Sequence, residues 1–240
     1  MAVFKEMRLN KAIAQSGICS RRKAEVIIKE GRVAVNETIE RNPARIIIPS
    51  DIVTVDGRPL EKGKEVYLLF NKPKGVTTTL GDRFADKKIL DFIPKKFGRL
   101  YPVGRLDKQS RGLLILTNDG ELCYRLTHPK YNVEKEYLVW VDGKVGSSQL
   151  KQLKQGVKDD KDWLSVKCAV IETSQRAYTK VRVIVSEGKK RHLRRLFAKS
   201  GCPVSDLQRI RIGSITLGRL QEGSYRTIEK RKIYERIFNK

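Results

Sequence analysis

A chain of 240 residues with 40% apolar content is long enough for one large domain, or for a small module joined to a larger one, and it can bury a core. Its 51 Lys and Arg exceed its 27 Asp and Glu by 24, and its pI is near 10.1, so a polyanion is the expected partner, nucleic acid well ahead of an anionic membrane. No apolar run approaches the roughly eighteen residues of a spanning helix, and MAVFKEMRLNKAIAQSGI lacks the apolar stretch of a signal peptide, so a cytoplasmic protein is expected. The four cysteines form no C-x-x-C pair and only two histidines occur, which makes a zinc site improbable; the expectation is no metal and reduced thiols.

The first sixty residues carry their own pattern. RLNKAIAQSG places Leu9, Ala12 and Ile13 at helical spacing and stops at Gly17. Ser20 then offers an N-cap to RRKAEVIIKEG, whose Ala24, Ile27 and Ile28 form one apolar stripe before Gly31. GRVAVN and DIVTVDG alternate as strands do, the second closing on an Asp-Gly turn at 56 and 57. Together they predict a compact helix-helix-strand-strand module over residues 1–60. Arg22 and Lys29 fall on the side opposite the stripe, where they form either a binding face or a merely solvated one. RPLEKGKE, from 58 to 65, reads as a linker, and residues 61–240 as a second domain.

In that second part strands dominate: VYLLF, LLILT, EYLVWV, WLSVKCAVI and YTKVRVIV. Helical stretches interrupt them at SSQLKQLKQG, with Leu150 and Leu153, and at KRHLRRLFAKSG, with Leu193, Leu196 and Phe197. The mixture predicts an α+β fold with a mixed, largely antiparallel central sheet.

The motifs narrow the chemistry. Neither G-x-x-x-x-G-K-[ST] nor G-x-G-x-x-G occurs, so a phosphate-cradling glycine loop is unsupported and ATP is not expected. No G-x-S-x-G accompanies His128 or His192, which argues against a serine hydrolase. Carboxylates remain. In GRLDKQSRGLLILTNDG, residues 104–120, Asp107 and Asp119 lie at opposite ends of the strand-like LLIL, too far apart for the pair of a glycosidase, which needs carboxyls about 5 to 9.5 Å apart. Asp119 fits the Asn-Asp-Gly turn. Asp107 sits where no glycine-containing turn requires an aspartate, and the nearby cations Arg105 and Lys108 favour its charged form, suiting a nucleophile or base. On spacing alone a surface ion pair fits Asp107 equally well.

In EGKKRHLRRLF, a helix would bury Leu193, Leu196 and Phe197, set Arg191 and Arg195 across from them, and leave Arg194 at the border. Arg194 could then pair with a carboxylate or phosphate at a cleft edge while Arg191 and Arg195 contact RNA backbone; a solvated basic helix fits the same pattern. Tyr137 alternates with Val139 and Val141 on one strand face, a pattern commoner in a core than at a ligand, though an exposed tyrosine would offer a stacking surface.

These residues also resemble a known family. GRLDKQSRGLLILTNDGEL is similar to the signature of the rRNA pseudouridine synthases of the RsuA family, and KPKGVTTT (72–79), HPKYNVEKEYLV (128–139) and EGKKRHLRRLF (187–197) follow in the family's order. RLNKAIAQSGICSRRKAEVIIKEGRVAVN resembles the S4 RNA-binding module that precedes the catalytic domain in many members. The resemblance covers essentially the whole chain. It implies an S4 module followed by a pseudouridine synthase domain that isomerises a specific uridine of ribosomal RNA, without cofactor or metal. It further implies Asp107 as the essential aspartate, Tyr137 as the tyrosine stacked on the flipped uridine, Arg194 as the arginine paired with the aspartate, and Arg105 as a further substrate contact. RNA would be held by Arg21, Arg22, Lys23 and Lys29 in the S4-like segment and by Arg191 and Arg195. The substrate would be rRNA or a subunit assembly intermediate, and the protein a monomer. The SRRKAE motif looks closer to members that modify large-subunit (23S) rRNA than to those acting on 16S. One departure is His192-Leu193-Arg194, where the family commonly has Gln-Ile-Arg or Gln-Val-Arg. A non-catalytic S4-containing RNA-binding or ribosome-assembly factor is the alternative from another class, and a glycosylase releasing free base is a third reading.

Overall fold

The computed structural model describes residues 4–79 and 86–238, so the outermost residues of both predicted domains, 1–3 and 239–240, lie outside it. The chain divides into two compact units. The first is the chain up to Val66 with the returning segments Lys95–Leu100 and Asn118–Gly120; the second holds the remainder.

In the first unit, β1 (Met7–Arg8) leads into α1 (Leu9–Gln15) and α2 (Arg21–Lys29). Ser20 caps α2 as its position predicts, its hydroxyl accepting the Lys23 N–H at 3.1 Å. Strands β2 (Val33–Val35), β3 (Thr38–Ile39), β4 (Ile46–Ile47), β5 (Val53–Val55) and β6 (Arg58–Pro59) follow; β3-β2-β5-β6 make one antiparallel sheet, and β1 pairs with β4. The predicted stripes meet in one core of Leu9, Ala12, Ile13, Ala24, Ile27, Ile28, Val33 and Val55. Asp56 and Gly57 turn β5 into β6 with φ of 50° and 74°, left-handed backbone that an Asp-Gly pair adopts at low cost.

The second unit is built on a nine-stranded sheet. In chain order its elements are β7 (Tyr67–Lys72), β8 (Tyr101–Pro102), β9 (Arg111–Thr117), α3 (Gly120–Thr127), β10 (Lys135–Asp142), α4 (Ser147–Gln155), β11 (Val157–Asp159), β12 (Asp162–Leu164), β13 (Cys168–Ser174), β14 (Tyr178–Val185), α5 (His192–Lys199), β15 (Val204–Ile212), β16 (Ile215–Thr216), β17 (Tyr225–Thr227) and α6 (Lys230–Ile237). The sheet runs β13-β14-β10-β15-β9-β7-β17, with β16 on β15 and β8 on β9, while β11 and β12 form a separate hairpin. It is mixed and largely antiparallel, as the sequence predicts: among the described strands the single parallel contact is β15 with β9, at Gln208↔Arg111 and Arg209↔Gly112.

That contact requires Gly112. A Cβ there would lie 2.3 Å from the Arg209 carbonyl oxygen, and its φ of 105° is a conformation that side chains disfavour. On one side of this seam α5 buries Leu193, Leu196 and Phe197 against Val139, Val181 and Val183. On the other, β7 and β9 share a core with Leu122 and Leu126 of α3 and Ile233 of α6. WLSVKCAVI is two strands rather than the one predicted: between them the Val166 N–H bonds to Leu153 and the Lys167 N–H to Ile184.

Candidate active site

The seam between β9 and β15 places the loop entering β9, Tyr137 of β10 and the start of α5 around one cleft of about 570 Å³, a size suited to a small ligand. Asp107, Tyr137, Arg191 and Arg194, far apart in sequence, all line it, as does Arg105.

Asp107 lies in the loop 104–110 that enters β9. It opens a turn that contains no glycine, with the Ser110 N–H donating to its carbonyl at 2.9 Å. Each carbonyl from Leu106 to Ser110 accepts a hydrogen bond. Thr78 Oγ1 donates to Leu106 at 2.7 Å, the Gly75 N–H to Lys108 at 2.8 Å, Arg194 Nη2 to Gln109 at 2.8 Å and Lys72 Nζ to Ser110 at 2.7 Å. The loop is thus clamped from the 72–78 segment on one side and from α5 on the other. Among the described residues the Asp107 carboxylate itself makes no hydrogen bond or ion pair, so it is fixed in position yet free to act.

The cations around it differ from those adjacent in sequence. Lys108 Nζ pairs with Asp86 at 3.2 Å, Arg111 Nε donates to Asp206 at 2.8 Å, and Arg105 is exposed at the cleft edge. The charges whose fields meet Asp107 are Lys72 and Arg194. Arg194 is half-buried as its border position predicts, but it grips the Asp107 loop through the Gln109 carbonyl and also donates to Val204 O at 3.1 Å; its interaction with Asp107 is through charge, not a direct bond.

Tyr137 is partly buried on β10. It packs against the α5 core while lining the cleft, and its hydroxyl accepts from Arg209 Nη1 at 3.4 Å. Arg191 is not on the helix: it is the N-cap of α5 with φ 51°, exposed at the cleft. Arg195 departs from its expected role. It is only 23% exposed and is held by Asp159 at 2.5 Å and Asp162 at 2.7 Å, so its charge fastens α5 to the β11–β12 hairpin instead of facing RNA. His192 is buried, its Nε2 2.9 Å from Ser165 O, and burial holds its pKa below the usual range; it is an anchor for the first turn of α5. Arg21, Arg22 and Lys23 are exposed on the first turn of α2, and Lys29 on its last. Asp119 is buried immediately before α3, at its N-cap position, in place of the simple turn expected.

The sequence reading missed two buried cations, Lys72 and Arg209, and one half-buried, Lys135. Lys72 is fully buried at the end of β7, its ammonium shared between Pro73 O at 2.8 Å and Ser110 O at 2.7 Å, and burial lowers its pKa from 10.5 to about 8 against the opposing pull of Asp107. Arg209, 4% exposed, donates to Leu113 O at 2.7 Å and lies 6.0 Å over the Tyr137 ring, fixing the ring's underside. Lys135 on β10 is lowered to about 8 by burial and then by the Arg209 charge. A lysine two residues after the apolar run YLLF is the signal that could have marked Lys72.

A family profile described as RNA pseudouridylate synthase matches residues 66–199, and an S4 domain profile matches residues 7–53. An RNA pseudouridine synthase of Aquifex aeolicus is 39% identical over 227 residues, covering 94% of this chain and 91% of the relative. Ribosomal large subunit pseudouridine synthase B of Bacillus subtilis is 35% identical over 228 residues, covering 94% and 93%. A crystal structure of a pseudouridylate synthase superposes with a TM-score of 0.66 at 29% identity, covering 95% of this chain and 98% of that one.

Proposed function

Because the chain belongs to the RNA pseudouridylate synthase family, we propose that it converts one uridine of ribosomal RNA, in the large subunit, to pseudouridine, with Asp107 as the catalytic group. The observation that carries this reading is the loop 106–110, where five consecutive carbonyls are held and one carboxylate is left unbonded in a cleft. Fixing a reacting group in this way supplies part of the barrier lowering in advance. The reaction breaks the N1–C1′ glycosidic bond, turns the uracil, joins C5 to C1′, and exchanges the C5 proton for one on N1. There is no net oxidation or hydrolysis, so the reading calls for no cofactor.

A uridine inside helical RNA cannot present C1′ and C5 to Asp107, so it must flip out, at a cost of about a few kcal/mol. Tyr137, seated on Arg209 and packed against the α5 core, offers a rigid ring whose stacking offsets about 1–3 kcal/mol of that. Arg194 positions the Asp107 loop and adds positive charge, while Arg105 and Arg191 at the cleft edge meet phosphates. Residues 1–60 serve as an S4 RNA-binding domain through the exposed Arg21, Arg22, Lys23 and Lys29, and residues 61–240 carry the reaction. Arg195 is left out of the RNA-binding set because Asp159 and Asp162 engage it. The large-subunit assignment draws on the name of the B. subtilis relative. The protein acts as a cytoplasmic monomer, and no described helix is long and apolar enough to cross a membrane.

The test is Asp107→Asn in the full chain, offered a large-subunit rRNA transcript, with pseudouridine located by carbodiimide modification and primer extension. Product formation disappears while RNA affinity in filter binding stays within about twofold. A variant that still forms pseudouridine overturns the assignment, and release of free uracil by the wild type shows a glycosylase instead.

A further inference from the structure

The cleft accounts for one flipped nucleotide, but the second unit carries another surface of suitable chemistry. We propose that Tyr124, His128 and Lys130 form a platform that docks an unpaired nucleotide of the substrate RNA outside the Asp107 cleft. The proposal rests on the rRNA reading above and adds a second point of contact to it.

The platform is assembled by the end of α3 and the 3-10 turn Pro129–Tyr131. The His128 N–H donates to Tyr124 O at 2.9 Å, and the Tyr131 N–H to His128 O at 3.2 Å; Asn132 then leaves the turn with a left-handed φ of 47°. These bonds stack the side chains together. The Tyr124 and His128 rings have centroids 4.8 Å apart, and Tyr131 meets Tyr124 edge-on at 5.9 Å. Lys130 Nζ lies 5.1 Å from the Tyr124 centroid and 4.9 Å from that of Tyr131. The Lys130 N–H donates to His128 Nδ1 at 3.3 Å, which leaves Nε2 to carry the ring hydrogen.

Packing does not account for the exposed members. Tyr131, Tyr234 and Phe238 lean on the core beneath α3 and α6, whereas Tyr124 is 46% exposed and His128 and Lys130 are exposed as well. A tyrosine beside a histidine N–H donor and a lysine presents the two chemistries an unstacked nucleotide needs: a π-surface for its base and cations for its phosphate. Arg125, on the same helix, adds a further positive charge, lying 5.5 Å over Tyr234.

Position supports RNA as the occupant. Gly104, which lines the Asp107 cleft, is so close to the end of α3 that a Cβ on it would lie 3.7 Å from the Thr127 methyl, and Thr127 directly precedes His128. The platform thus adjoins the rim of the cleft, within reach of RNA whose uridine occupies it. The net charge of +24 favours a polyanion there over an acidic protein patch of limited size.

The experiment uses the full chain and a naked large-subunit rRNA transcript, comparing Tyr124→Ala, Tyr124→Phe and Lys130→Ala for filter-binding Kd, KM and kcat. Tyr124→Ala should weaken binding and raise KM about tenfold with kcat unchanged, while Tyr124→Phe, which keeps the ring face, stays within about twofold. Lys130→Ala should flatten the salt dependence of log K by about one. Ultraviolet crosslinking should place a nucleotide adduct on the peptide containing Tyr124 to Tyr131. Wild-type affinity in Tyr124→Ala overturns the proposal, as does equal damage in the Phe and Ala variants, which would mark packing or the hydroxyl instead of stacking. A defect seen only with ribosomal particles and never with naked RNA overturns it in favour of a protein partner. If the wild type binds the transcript but forms no pseudouridine, the function proposed above fails, and the Kd comparison still decides the platform.

Discussion

Replacing Lys72 with methionine separates the electrostatic from the mechanical role of this buried ammonium. Burial lowers its pKa from 10.5 to about 8, equivalent to about 3 kcal/mol of stability forfeited while the amine is charged in both folded and unfolded chains. Below pH 8 both states hold the proton and the penalty is present in full. Between pH 8 and 10.5 the unfolded chain holds more protons than the folded one, so stability rises with pH by up to about 1.4 kcal/mol per pH unit. Methionine removes that dependence and relieves the penalty, but it leaves the Pro73 and Ser110 carbonyls without their donor, at about 1–3 kcal/mol each. At pH 7 the two effects nearly cancel, and Lys72→Met should unfold within about 2 kcal/mol of the wild type. Its activity should fall about 100-fold, because the Asp107 loop loses one of its clamps. Urea unfolding followed by circular dichroism from pH 7 to 10 checks the energetics: the wild type should gain about 2–3 kcal/mol on the variant across that range. Lys135, present in both proteins, drops out of the difference. Parallel pH curves, or full activity in the variant, would refute the reasoning.

Gly112→Ala drives a methyl into the Arg209 backbone at 2.3 Å and should lower Tm by about 10 °C or abolish folding, measured by scanning fluorimetry. Arg195→Ala and Arg22→Ala should behave as opposites. The first breaks the ties to Asp159 and Asp162 and lowers the urea midpoint with little change in RNA affinity. The second leaves stability unchanged and reduces the salt slope of RNA binding by about one; equal effects of the two variants on binding would restore Arg195 to the RNA face.

The amphipathic elements were legible because their periodicity reflects which side is buried. In α2, α5 and β14 the apolar positions read from the sequence are the ones that pack. β15 escaped notice for a physical reason: Arg209 occupies an inward position in VSDLQRIRI, so a buried cation interrupts the apolar alternation that marks a strand. α3 was hidden by the Asn-Asp-Gly signal at its start and by a buried side limited to Leu122 and Leu126. The importance of Asp107 was visible as an acid among cations, but its partners were not. Of the cations near it in sequence, Lys108 and Arg111 are engaged by Asp86 and Asp206 and Arg105 is exposed at the cleft edge, while those that hold the loop come from residues 72 and 194. Sequence adjacency carries little information about a loop whose supports come from distant elements.

The span between the loop and its supports sets an order on synthesis. Gln109 waits 85 residues for Arg194, Arg111 waits 95 for Asp206, and the Leu113 carbonyl waits 96 for Arg209. At about 5–20 residues per second, Asp107 is made about 4–17 seconds before the side chain that grips its loop. A nascent chain, or a product truncated before α5, would therefore contain the aspartate and the tyrosine yet lack a working site.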